Sequence, residues 1–474
     1  GTYEDTAEGL VKLRVNSMPI NQTPYPGVPD FAWIKPDDIG YMMIADLLMM
    51  IHAREYPVGG LAKPELAKGR ILDALKMMER LVNDFELRVR VNGREIGTGV
   101  LPEVLVPRGD YFVPEQSDVP GQPGAKGIAY AFYNMGLTHE RLKIIRDVFA
   151  GGIVEGIKDR EISVLAAKLL ARADYRPFID AEKRIHAQVF KLSGTDEVVR
   201  GPLIVDNQHT EARFILSIAD LLGTPGKSED ERYAEGLESW NTMWFKWRSF
   251  RVDGKEVLVA DGDHVASLWT EGEGAQFFDP SEAAPLTWGR SFGNYGMILE
   301  DLKTRHGLTW TPATGLGTAQ DPGVFSEFGI GNYPALPAVI VPAYQFVALT
   351  SGSAEAVAAA SRFVEAAKKS GAYVPGWGLP DAVDPVTAKA FNGKILYINQ
   401  GLTLEALNYP VLREIVRKTA WGQRALREFR AADAKRPAPR SELRKMTEKE
   451  QQAAAIEGLA LIRGGKKGQD YSSD

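Results

Sequence analysis

The sequence predicts a mostly helical single domain: an α/α barrel, with an inner and an outer ring of helices enclosing a cleft at one end and short β-hairpins in the loops. Three observations carry this prediction. Helical periodicity recurs in about a dozen segments, strand signals are few and never alternate regularly with helices, and no change of composition marks a linker. At 474 residues the chain exceeds the usual size of one core, which leaves two domains or one architecture built to be large.

The first periodic segment runs from about 37 to 54, where Ile39, Met42, Met43, Leu47, Met50 and Ile51 recur at i, i+3 and i+4, and Pro36-Asp37-Asp38 supplies a helix start. Similar patterns occupy roughly 64–83, 138–150, 158–173, 209–222, 227–246, 291–305, 335–350, 353–370, 402–418, 420–432 and 446–462. Two hairpins are expected: 87–91 turning at Asn92-Gly93, and 250–252 turning at Asp253-Gly254 into 255–259, because both dipeptides tolerate positive φ. The barrel is assigned to 1–432. Beyond it, 433–474 reads as a peripheral helix and loose tail, broken by Pro437 and Pro439 and ending in a Gly-Lys run. The uncharged stretch 328–354 is long enough to cross a bilayer but carries Pro334, Pro337 and Pro342, so a buried core helix with an irregular entrance is the expectation.

Composition removes several function classes. The net charge of −6 offers no basic field for a phosphate backbone, so nucleic acid is not an expected partner. The absence of cysteine excludes thiol nucleophiles, thiolate zinc sites and disulfides. The six histidines are scattered without metal-ligand spacing; His209 near Asp206 and Glu211 reads as a capping group, Asp261-Gly262-Asp263 as a turn, and no metal or cofactor is expected. Neither Gly151-Gly152 nor Gly315-Leu316-Gly317 has the context of a phosphate cradle. The start at Gly1-Thr2-Tyr3, without Met, is expected to follow a removed export signal, giving a periplasmic or secreted location.

Aromatic residues and glycines cluster with acids in connections between 269 and 377. The run 267–278 holds Trp269, Glu271 and Glu273; the run 309–321 holds Trp310 and Asp321; the run 374–384 holds Trp377 and Asp381. Pyranose rings pack their C–H faces on aromatic rings while their hydroxyls seek carboxylates, amides and arginine. Cleaving a glycosidic bond then needs two carboxylates, one to protonate the leaving oxygen and one to activate water or attack. Trp269, Trp288, Trp310, Tyr333 and Trp377 are therefore expected to include sugar platforms. In an extended segment Glu271 and Glu273 would face the same side, and Glu273 is favoured as the acid. Glu327, between Phe325 and Phe328, is a further candidate because aromatic burial raises a carboxyl pKa.

Gly315-Leu316-Gly317-Thr318-Ala319-Gln320-Asp321, Gly378-Leu379-Pro380-Asp381-Ala382-Val383 and Tyr397-Ile398-Asn399-Gln400-Gly401 resemble, in order and spacing, the glucoamylase-like domain family. That family includes bacterial endo-β-1,2-glucanases and the C-terminal domain of cyclic β-1,2-glucan synthases. The segment 205–215, with Glu211 and Arg213, and the start Pro36-Asp37-Asp38-Ile39-Gly40 are similar to further helix starts of related proteins, so the resemblance covers about 37–410. It implies an all-α (α/α)6 barrel that cleaves or transfers a β-glucan or related exopolysaccharide, and it places Glu211, Asp321 and Asp381 in the cleft. Arg213, Asn399 and Gln400 are expected there as binding residues. Asn399 stands where the family has an acid, and Leu379-Pro380 replaces an aromatic. These departures keep a second reading open, a polysaccharide-binding or assembly protein without chemistry.

Overall fold

A computed structural model describes residues 2–12, 14–15, 18–19, 22–24, 34–52, 63–91, 93–208, 211–244, 246–261, 267–318, 325–327, 329–391 and 394–435. The helix expected over 446–462 and most of the 433–474 tail lie outside the described residues, as do His209, Gly262 and Asp263. Helices dominate: α1 (Thr2–Lys12), α2 (Pro36–His52), α3 (Pro64–Phe85), α4 (Phe132–Ala150), α5 (Arg160–Arg172), α6 (Ile215–Leu222), α7 (Glu229–Trp240), α8 (Leu268–Gly272), α9 (Pro280–Ala283), α10 (Arg290–Arg305), α11 (Pro342–Val347), α12 (Ala354–Ser370), α13 (Tyr397–Leu407), α14 (Tyr409–Lys418) and α15 (Ala420–Ala434).

Their packing closes on itself. α2 lies against α4, and α4 against α6. The turn Glu211–Phe214 that leads into α6 touches α8, α8 packs on α11, α11 on α13, and α13 returns to α2. A helix in such a ring is covered on every side, so it is apolar all round rather than along one stripe. α2 shows this: residues 36–49 are buried without interruption. α13 is likewise buried from Tyr397 to Ala406. The second layer is amphipathic. α3 packs on α2, α5 on α4, and α7 on α6, and α12 buries one stripe of Ala359, Ala360, Phe363, Val364 and Ala367. Two glycines permit the close approach of ring helices. A Cβ on Gly401 would sit 2.6 Å from the Tyr41 side chain, and one on Gly40 would sit 3.0 Å from the Thr138 backbone and the Arg141 side chain.

Local chemistry explains most boundaries. Asp159 caps α5, Ser228 and Glu231 form a capping box on α7, Ser353 caps α12, and Gly371 ends α12 with φ of 78°. The long helix expected over 402–418 is instead two, breaking at Asn408, because Pro410 lacks an amide hydrogen and fits only the first turn of a new helix. The helix expected over 335–350 shortens to α11 for the same reason, with Pro342 at its first turn. No helix of the described residues is long and apolar enough to cross a membrane.

Both expected hairpins form, as Arg88–Val91 with Arg94–Gly97 and Trp247–Val252 with Lys255–Ala260; Gly93, Asp253 and Gly254 take the positive φ their turns require. A four-stranded antiparallel sheet was not expected. It joins Ser117–Asp118, Lys126–Ala131, Gln188–Leu192 and Val198–Arg200, and its central pairing spans about sixty residues of chain, which no local periodicity announces.

Candidate functional site

The interior of the ring is polar, and Arg141 of α4 is its hub. The side chain has no solvent exposure. Its Nε and Nη2 donate to the two oxygens of Glu405 at 2.7 Å each, and Nη2 also donates to Glu273 Oε1 at 3.2 Å. Tyr41 donates its hydroxyl to Glu273 Oε2 at 3.0 Å, and Gln276 donates to Glu405 Oε2 at 3.1 Å. The guanidinium also lies 3.8 Å from the centre of the Tyr41 ring. Four chain segments, α2, α4, α8 with its C-cap and α13, are thus tied together by one cation and two carboxylates. Burial disfavours the arginine charge, but the two glutamates beside it hold its pKa above the ordinary value.

Glu271 and Glu273 do not face the same side. The segment 268–272 is a helix, not an extended strand, and positions two apart on a helix point about 200° from each other. Glu273 turns into the ring. Glu271 turns out: its Oε1 accepts from Ala260 N at 3.1 Å and from the Ser291 hydroxyl, while its Oε2 lies 3.7 Å from Arg213. Burial pushes the Glu271 carboxyl above its usual range, and Arg213 with the Ser291 bond pulls it back.

Asp381 is buried and accepts a hydrogen bond from the Asn399 side chain, in the first turn of α13. Beside it, Gln400 donates to Leu379 O at 2.6 Å. A Cβ on Gly317 would lie 3.6 Å from Asp381 Oδ2, so the strand Leu316–Thr318 runs directly past this carboxylate. The position where the resembled family has an acid is therefore occupied by the donor that Asp381 uses. A second carboxylate at this position could not donate to Asp381 without carrying a proton, whereas the amide donates as it stands.

Contacts between successive helix starts join these groups. Asn207 donates to Asp261 O at 2.6 Å, Leu268 N donates to Thr314 O at 3.0 Å, Gly317 abuts Asp381, and Asp381 holds Asn399. These contacts link described parts of the segments leading into α6, α8 and α13, a belt of helix starts. Asp37, in the first turn of α2, is an acid that the sequence patterns marked only as a helix start. It is buried, and burial raises its pKa while Lys35 opposes the rise.

The remaining expected residues divide. Glu211 opens the turn Glu211–Phe214, and Glu327 ends a strand paired with Leu316, but the side chains of both lie outside the described residues, as does all of Asp321. Arg213 is buried, 4.4 Å from the centre of the Trp288 ring. Two expected sugar platforms are core residues instead. Trp288 is 1% exposed, covered by Arg213 and Phe429, and donates to Glu271 O; Trp310 packs edge-on against Phe363 and donates to Pro385 O. Tyr333 is half-buried against Phe250 and donates to Asp301. Trp377 and Trp269 are half-buried, the former under the Lys12 ammonium of α1. Sequence patterns missed Tyr41, Arg141, Gln276 and Glu405; of these, Glu405 carried a signal that could have marked it, as the one charge in the otherwise uncharged α13. Among the described residues, no group of three or more His, Asp or Glu could hold a metal ion.

Glu140 adds a pH dependence. Burial pushes its carboxyl up to about 7; Arg141 and a Ser217 hydrogen bond pull it down, and Glu273 and Glu405 push it further up. A folded pKa above the unfolded value of 4.5 means that the native state binds this proton more tightly. The stability it contributes is complete below the unfolded pKa and is lost as pH rises through about 7. Denaturant midpoints measured from pH 4 to 8 should therefore fall less steeply in Glu140→Gln, by roughly 3 kcal/mol over the range. Parallel profiles for the variant and the parent would refute this.

No known protein family and no curated protein matches the sequence. Solved structures do match. An endo-β-1,2-glucanase from Chitinophaga pinensis, in complex with sophorotriose and glucose, shares 15% identity over 90% of this chain and 96% of its own, with a TM-score of 0.65. An endo-β-1,2-glucanase from Talaromyces funiculosus, with sophorose, shares 13% over 94% of each chain at a TM-score of 0.64. A β-1,2-glucanase from Parabacteroides distasonis shares 13% over 91% of this chain and 59% of its own, also at 0.64. The resemblance to the glucoamylase-like family thus holds at the level of the fold.

Proposed function

We propose that the closed ring of helices is the inner layer of an (α/α)6 barrel and that the chain is a glycoside hydrolase acting on a β-glucan, with β-1,2-glucan the first substrate to test. The observation that carries this reading is the placement of two carboxylates, Glu273 and Asp381, on the inside of a fold shared almost end to end with β-1,2-glucanases. Each is fixed by a different partner, Glu273 by Arg141 and Tyr41, Asp381 by the neutral Asn399 amide. Acids in unlike environments are what divided roles require: one protonates the departing glycosidic oxygen while the other activates water or attacks the anomeric carbon. Glu211, Asp321 and Glu327 remain members of the proposed acid set on the family resemblance of their segments alone. Gln400 and the half-buried Trp269 and Trp377 are proposed to hold the sugar; the expected role of Arg213 there is set aside, because it is buried against Trp288 and faces the outward-turned Glu271. The substrate places the protein in the periplasm or outside the cell. The test is release of reducing ends from a panel of β-1,2-, β-1,3- and β-1,4-glucans and bacterial exopolysaccharides, with product lengths resolved. Cleavage of β-1,2-glucan supports the reading; binding to a glucan with no new reducing ends replaces it with a binding protein.

A further inference from the structure

Trp244 is 70% exposed, whereas every other described tryptophan is buried or half-buried. Single exposed aliphatics such as Leu286 and Val386 are ordinary on a protein surface, and Trp244 differs from them in leaving the largest apolar side chain in water. Its backbone is anchored. Its amide donates to Asp206 O at 2.7 Å, and its carbonyl accepts from Gln208 N at 2.9 Å. The partner segment is anchored in turn, Gln208 to Trp240 O at 2.8 Å and Asn207 to Asp261 O at 2.6 Å. That segment then leads into the turn Glu211–Phe214, whose Arg213 lies 3.7 Å from Glu271. The backbone of Trp244 is therefore paired with the segment that leads into α6, one of the helix starts described above. Beside it, Lys246 forms a two-pronged pair with Asp206 at 2.8 Å, both side chains close to half exposed. An exposed indole face matches a pyranose, whose C–H face stacks on aromatic rings.

We propose that Trp244 is a sugar-stacking platform for a distal ring of a glucan chain, an outlying subsite that favours long substrates over short ones. This rests on the glucan-hydrolase reading above.

The experiment compares the parent protein, Trp244→Ala and Trp244→Phe on long β-1,2-glucan and on the shortest oligosaccharide that the parent cleaves; if the parent prefers another glucan of the panel, that glucan is used. Retardation in gels containing the long glucan measures binding apart from turnover. The expected result for Trp244→Ala is KM on the long chain raised roughly 3–10-fold with kcat unchanged, matching weaker retention in the gel. On the short substrate both constants stay at the parent's values, and Trp244→Phe recovers most of the loss. Unchanged long-chain KM in Trp244→Ala, or an equal loss on both substrates, overturns the inference while leaving the hydrolase reading intact. A parent protein that neither cleaves nor binds any glucan overturns both.

Discussion

Asp381→Asn is expected to lower kcat on the cleaved glucan by roughly 10²–10⁴-fold while leaving the fold and ligand binding in place. The substituted carboxamide keeps the size of the carboxylate and still offers an oxygen to the Asn399 amide, so the local hydrogen bond survives. What disappears is the ability to take up or deliver a proton, or to carry the charge that attacks or assists. The effect should therefore fall on kcat, with KM and the near-ultraviolet circular dichroism spectrum close to those of the parent. Glu273→Gln is the companion variant. Its loss of activity should be similar, but it also removes a counter-charge from Arg141, so a modest fall in stability should accompany it. Full activity in both variants, on a substrate that the parent cleaves, would remove these two residues from the mechanism and pass the roles to Glu211, Asp321 or Glu327.

Arg141→Met should cost about 3–5 kcal/mol of stability, the largest effect expected of any single replacement in the ring. The methionine fills much of the volume, so the cost is electrostatic. Glu273 and Glu405 are left buried, like-charged and without their shared cation. The check is urea denaturation, with Arg141→Met/Glu273→Gln/Glu405→Gln as the control. In that combination no buried carboxylate is stranded, and most of the lost stability should return. A midpoint for Arg141→Met within about 1 kcal/mol of the parent, or a triple variant no better than the single one, would show that the network is not held together by charge. The same reasoning explains why a ring of helices tolerates such a cluster at all. α2, α4, α13 and the segment that ends α8 each contribute polar side chains to this buried cluster, and mutual pairing offsets the cost of their burial.

The individual helices were legible because their signals are local. The apolar positions of 37–54, the serine caps of α7 and α12 and the glycine at the end of α12 lie within a turn or two of what they control. Prolines 342 and 410 were equally local, yet apolar periodicity ran across them and merged or lengthened the helices they break. Of the candidate residues, Glu273, Asp381, Asn399 and Arg213 stand in motifs that sequence alone picks out, and the fold buries all four beside polar partners. Trp288 and Trp310 were misread because glycine-rich, aromatic connections look alike whether their rings face a cleft or the core.

By itself the sequence determined the mostly helical class, the order of most helices and the two hairpins, since each depends on residues near one another in the chain. Only the tertiary structure decided which way an acid points and what it touches. Whether Glu273 turns inward to Arg141, 132 residues away, while Glu271 turns outward to Arg213, depends on a single turn of helix and on which helices close the ring around it. Pairings of that kind are set by the geometry of closure, because a buried charge is satisfied by whatever partner the packing brings within reach and not by its neighbours in sequence.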